Sequence, residues 1–135
     1  MKIIIRKIPV YRFELTIILF NTKEVQQSEV HKYAEFMENI VADKESTNDL
    51  LNKVMNGCAN GGDTLYRNIS SKFITVIYPH STLKELHNTL MHEKRHIEDF
   101  IIRDCDLQCM EAAAYLAGDL TQFFLDDEII NYYKF

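Results

Sequence analysis

Apolar residues recur every three or four positions from Leu83 onward, at Leu83, Leu86, Leu90, Ile97, Phe100 and Ile101. A stretch of this length and period has to lay one face of a helix on an apolar surface. Pro79 ends the segment before it, Ser81 or Thr82 is placed to cap the helix, and the pattern predicts helix to about Arg103. Strands are expected to provide the surface. Ile3–Ile8 and Tyr11–Phe20, joined at Pro9, read as two of them, the second alternating Tyr11, Phe13, Leu15, Ile17 and Leu19. Thr64–Ile69 and Lys72–Tyr78 read as a hairpin around Ser70-Ser71.

Between the strand pairs, Ser28–Ala42 predicts an amphipathic helix with Val30, Tyr33, Ala34, Met37 and Val41 on one side. Ser46 or Thr47 opens a short helix that runs out near Gly57, and Asn60-Gly61-Gly62-Asp63 reads as a loop. After the long helix come a connector, Asp104–Gln108, and another helix over about Cys109–Leu125. The tail from Asp126 to Phe135 fits helix or coil. The sum is an α+β domain over 1–135 with a short, mostly antiparallel sheet.

The 135 residues suit one domain, and 47% hydrophobic with 26% charged residues is globular composition. A net charge of −5 offers no basic surface for nucleic acid or an anionic membrane, so neither is expected as a partner. Leu15–Thr22, the uncharged run near the N-terminus, is too short to span a bilayer. Cys58, Cys105 and Cys109 cannot all pair within the chain, which fits a reducing, cytoplasmic setting with thiols free or one pair ligating metal.

Within the long helix stands His92-Glu93-Lys94-Arg95-His96. Residues four apart lie one turn above each other, so both imidazoles can reach one tetrahedral zinc. With His92 at zero on the wheel, His96 falls near ~40° and Glu93 near ~100°, inside the apolar sector of roughly 80° to 180°. A carboxylate on a core-facing stripe costs about 2–7 kcal/mol unless it is paired, ligating or protonated. Lys94 and Arg95 fall near ~200° and ~300°, on a back expected to be exposed. His31, His80 and His87 have no partner at ligand spacing.

This H-E-x-x-H pattern resembles the zincin metallopeptidases, and among them the gluzincins, over roughly Phe73 to Leu125. The resemblance implies Zn²⁺ on His92 and His96, Glu93 as general base, and a peptide or protein substrate. It also implies an extended substrate along the strand before the helix, here Phe73–Tyr78, and a glutamate ligand on the following helix. Glu111 is the residue that fits, on a stripe with Tyr115, Gly118 and Gln122. Tyr115 stands where gluzincins often carry an aspartate and is an oxyanion-stabilising candidate. Asp99, in line with the histidines, suits a supporting role. The charged Lys94-Arg95 pair and the short His96-to-Glu111 spacing depart from the family pattern.

Two other readings fit the same residues. His92, His96, Cys105 and Cys109 could close a structural zinc site with no place for water, giving a binding or scaffold domain. Alternatively, the chain is an interaction domain on an inactive zincin-like scaffold.

Overall fold

Side chains that alternate along a strand give it two faces, and in Phe13–Leu19 both are covered. The computed structural model describes residues 1–40, 44–55, 61–67 and 70–135. Strands β1 (Lys2–Ile8), β2 (Phe13–Leu19), β3 (Gly62–Arg67) and β4 (Lys72–Ile77) form a sheet in the order β1-β2-β4-β3. The β1–β2 and β3–β4 pairs are antiparallel, and β2–β4 is parallel. The α+β class is as expected, with a mixed sheet that is antiparallel in two of its three pairings.

Helices α1 (Lys23–Ser28), α2 (Val30–Ile40) and α3 (Lys44–Met55) cover one face, where Ile18, Phe20, Ile74, Val76 and Tyr78 meet Tyr33, Met37 and Val54. The other face carries α4 (Leu83–Asp104), α5 (Met110–Phe124) and α6 (Asp127–Tyr133). There Leu15, Ile17, Leu19, Phe73 and Ile77 pack with Leu86, Leu90, Ile97 and Ile101 of α4 and Leu116, Leu120 and Phe124 of α5. Among the described residues no helix is long and apolar enough to cross a membrane.

Several boundaries differ from the sequence expectation, with β2 shorter than Tyr11–Phe20 and α3 starting at Lys44. The helix placed at Ser28 begins earlier, because Thr22 accepts a hydrogen bond from the Val25 N–H and caps α1, which ends before α2 starts. Gly62 and Asp63, read as loop, are the first residues of β3. The tail, open between helix and coil in the sequence, is helical: Asp126 caps α6, and the buried Tyr133 hydroxyl donates to the carbonyls of Ile77 and Tyr78. Val41, Ala42, Gly57, Cys58, Asn60 and Ile69, named in the sequence reading, lie outside the described residues. Thr82 caps α4 with a reciprocal bond through Glu85, as its sequence suggests.

The back of α4 is the larger correction. Lys94 was expected in solvent, but its side chain is only 15% exposed, because α5 packs against that side of the helix. Its ammonium meets Glu98 at 2.7 Å and donates to the Thr121 hydroxyl at 3.1 Å. Arg95, on the open side, adds a 3.3 Å contact to Glu98 and a 3.0 Å one to Asp99. Removing one partner of a buried pair strands the other charge. Lys94→Ala should therefore cost about 3 kcal/mol in urea denaturation, whereas Arg95→Ala should cost less than about 1 kcal/mol. Equal costs would show that Lys94 does not clamp the two helices.

Candidate metal centre

The site is built where α4 crosses the outer strand of the sheet. Thr64 and Thr75 are register partners on β3 and β4, and both point toward α4. The Thr64 hydroxyl donates to Glu93 Oε2 at 2.6 Å, and the Thr64 and Thr75 hydroxyls lie 3.0 Å apart. A carboxylate only accepts, and each hydroxyl has one proton. The order is thus Thr75 to Thr64 to Glu93. Glu93 is 3% exposed, and its other oxygen, Oε1, has no partner among the described residues.

Gly62 makes this closeness possible. A Cβ at that position would stand 3.0 Å from Glu93 Cγ, from Ile77 Cδ1 and from the Val76 carbonyl oxygen. A side chain there would require Glu93, Ile77 or the Val76 carbonyl to give by a few tenths of an ångström.

His92 and His96 are exposed on the cleft side of α4, with their Nε2 atoms 3.0 Å apart. As neutral rings they can meet this way only if one nitrogen donates to the other. Two lone pairs aimed at one point suit a cation instead. Two nitrogens bound to one tetrahedral zinc at about 2.0–2.1 Å would stand roughly 3.3 Å apart, close to the distance found. Ligand atoms of His92, Glu93 and His96 all lie within 4.8 Å of one another, and among the described residues they form the one such group of three. The histidine pair therefore fits two positions of a zinc ion.

A cleft of about 560 Å³ opens on this group, lined also by Gly62, Asp63, Thr64, Tyr66, Phe73, Asp99, Phe100 and Arg103. Asp63 is anchored by the Tyr78 hydroxyl at 2.9 Å and by Lys53 at 3.2 Å. Burial, with Asp63 beside it, holds the Tyr78 phenol far above its ordinary pKa, so it remains a donor. His80 is half-buried, one ring nitrogen 2.6 Å from the Tyr78 carbonyl and the other 2.7 Å from the Thr89 hydroxyl. A carbonyl only accepts, so Nδ1 carries the proton and Nε2 accepts from Thr89. Burial lowers the pKa of this ring, which is a structural histidine as its sequence position suggested.

The structure does not bring Glu111 to the histidines. Its side chain is exposed, outside the cleft and outside the three-residue group. The short connector makes α4 and α5 an antiparallel hairpin, and Lys94 meets Thr121 across it. Glu111 is ten residues before Thr121, about 15 Å back along α5 toward the far end of α4. Tyr115 is on the same outer stripe, 70% exposed, and also does not line the cleft. Asp99 does line it, held by Arg95 at 3.0 Å.

Cys105 and Cys109 are free, exposed thiols and do not join the histidines. Cys105 follows His96 by nine positions, about 13 Å along the helix axis. The strand beside the cleft also differs from expectation. Phe73–Ile77 belongs to β4, whose two edges are taken by β2 and β3, so it cannot pair with an extended substrate. The outer strand is β3, and Gly62, Asp63, Thr64 and Tyr66 of that strand line the cleft.

Sequence reading missed Thr64, Thr75 and Gly62. A two-residue turn at Ser70-Ser71 would set the hairpin register differently from the observed Arg67↔Lys72 closure, which pairs Thr64 with Thr75. Comparison with family models, with curated proteins and with solved structures finds no match for this chain.

Hydrogen bonds to a charged group contribute about 1.5–3 kcal/mol. Thr64→Val should lower stability by that order, and Thr64→Ser should restore most of it. The check is thermal melting of both variants with the pH held above neutrality. A Thr64→Val protein as stable as its parent would mean that the carboxylate is not held from the strand.

Proposed function

We propose that this chain is a zinc-dependent hydrolase of the metallopeptidase type. The carrying observation is the convergence of His92 and His96 beside a buried carboxylate that the sheet orients. A zinc ion there supplies a Lewis acid that polarises a carbonyl and brings the pKa of water to about 7. His92 and His96 hold it. Thr64 occupies Oε2 of Glu93 and leaves Oε1 to take the proton of the attacking water and pass it to the leaving amine. The outer edge of β3 is the support along which an extended peptide fits.

Catalytic zinc sites take three protein ligands. Glu111 remains our candidate for the third on chemistry, and in that role it requires the first turn of α5 to move toward the pair. Asp99, already in the cleft, is the nearer alternative. A second reading is favoured by the 4.8 Å grouping: Glu93 is itself a ligand, and the site binds metal without a base.

Elemental analysis of purified protein should find zinc, lost in His92→Ala. Glu93→Gln should keep zinc and fold, melt no lower than the parent, and reduce peptide cleavage about 10²- to 10⁴-fold. Zinc lost in Glu93→Gln makes Glu93 a ligand and removes the hydrolase mechanism. Glu111→Ala should also lose zinc, and unchanged content would pass the third place to Asp99. No zinc in any preparation overturns the reading.

A further inference from the structure

One turn beyond His96 the cleft changes character. Tyr66 of β3 and Phe100 of α4 face each other with ring centroids 4.1 Å apart, over Phe73, and form an apolar wall. Beyond the wall stands Arg103, exposed, its guanidinium carbon 5.9 Å from the Phe100 ring centre. Asp63 and Asp99, the acidic groups nearest along the lining, are already engaged by Lys53 and Arg95. None of the hydrogen bonds or ion pairs among the described residues uses the Arg103 guanidinium, and it is the one permanent cation among the described residues lining the cleft.

We infer that this half of the cleft selects substrate: it takes a peptide segment with an apolar side chain against Tyr66 and Phe100 and an acidic side chain on Arg103. The spacing supports it. Arg103 follows His96 by seven residues, about 10.5 Å along the helix, and an extended chain covers that in roughly three residues. Alternate side chains share a face, so an apolar residue and an acidic residue two positions apart can enter the cleft together. A planar guanidinium with unused donors matches a carboxylate with two parallel hydrogen bonds. Arg103 lines the cleft and is exposed, so a bound chain can continue past the arginine into solvent. We therefore assign the carboxylate to an internal Asp or Glu.

The proposal deepens the peptidase reading, and its test needs no turnover. Fluorescein-labelled, C-terminally amidated hexapeptides containing Phe-Ala-Glu or Glu-Ala-Phe are titrated into the purified full chain by anisotropy. The controls carry Gln for Glu or Ala for Phe, and a further peptide ends at Phe-Ala-Gln with a free terminal carboxylate. At least one order of the acidic peptide should bind about fivefold or more tighter than its Gln counterpart. That preference should shrink to within about twofold in Arg103→Gln and return in part in Arg103→Lys. Replacing Phe by Ala should weaken binding in the parent and in Arg103→Gln alike. The His92→Ala/His96→Ala double variant should keep the preference, which separates failure of the metal site from failure of this subsite. Equal binding of Glu and Gln peptides, a preference that survives in Arg103→Gln or disappears in the double histidine variant, or no binding of any probe to millimolar concentration overturns the proposal. Tighter binding of the free-carboxylate peptide than of the acidic one overturns it in favour of chain-end recognition.

Discussion

Placing the Glu93 carboxylate under the sheet costs about 2–7 kcal/mol where nothing compensates, so the surroundings of that one side chain have to be built around it. Two threonine hydroxyls in series answer its Oε2, and a glycine allows the strand close enough for them to do so. These three residues sit on adjacent strands in fixed register. The register in turn depends on β4 being locked between β2 and β3. The carboxylate thereby ties the pitch of α4 to the sheet, and His92 and His96, one turn apart on the same helix, inherit their direction from it.

Much of this was legible in sequence because period carries it. The alternation from Tyr11 to Leu19 marked a strand, found at Phe13–Leu19, the three-and-four spacing from Leu83 marked α4, and the wheel put Glu93 in the apolar sector, where it is buried. Ser81 or Thr82 announced the helix start, and the cap that Thr82 forms with Glu85 is a local hydrogen-bond exchange that needs no tertiary contact. The histidine pair was legible for the same reason: its geometry belongs to a single helix.

What stayed hidden depends on which element lies beside which. Lys94 reads as a solvent residue by type, and only the placement of α5 turns it into a clamp with Glu98 and Thr121. That placement also carries Glu111 and Tyr115 away from the cleft, and the short His96-to-Glu111 spacing had already set the chain apart from the family pattern. An uncapped loop length cannot say on which side of a helix its successor will pack. The outer strand was misassigned because sheet order is not sequence order: β3 comes before β4 in the chain and lies outside it in the sheet.

Helix α4 therefore serves two layers with opposite needs. Its buried side closes an ion pair against α5 and an apolar face against the sheet, interactions that reward rigidity. Its open side presents imidazoles, an aromatic ring and a guanidinium in succession along about three turns, and of these only the Phe100 ring also packs on the core. Burying a charge costs stability unless it is answered, whereas exposed histidines with converging nitrogens pack nothing. The buried Glu93 belongs to both sides at once. Its hydrogen bond from Thr64 is structural, while its carboxylate lies within 4.8 Å of the histidine ligand atoms, so the stability of the sheet contact and the alignment of the site rest on the same bond.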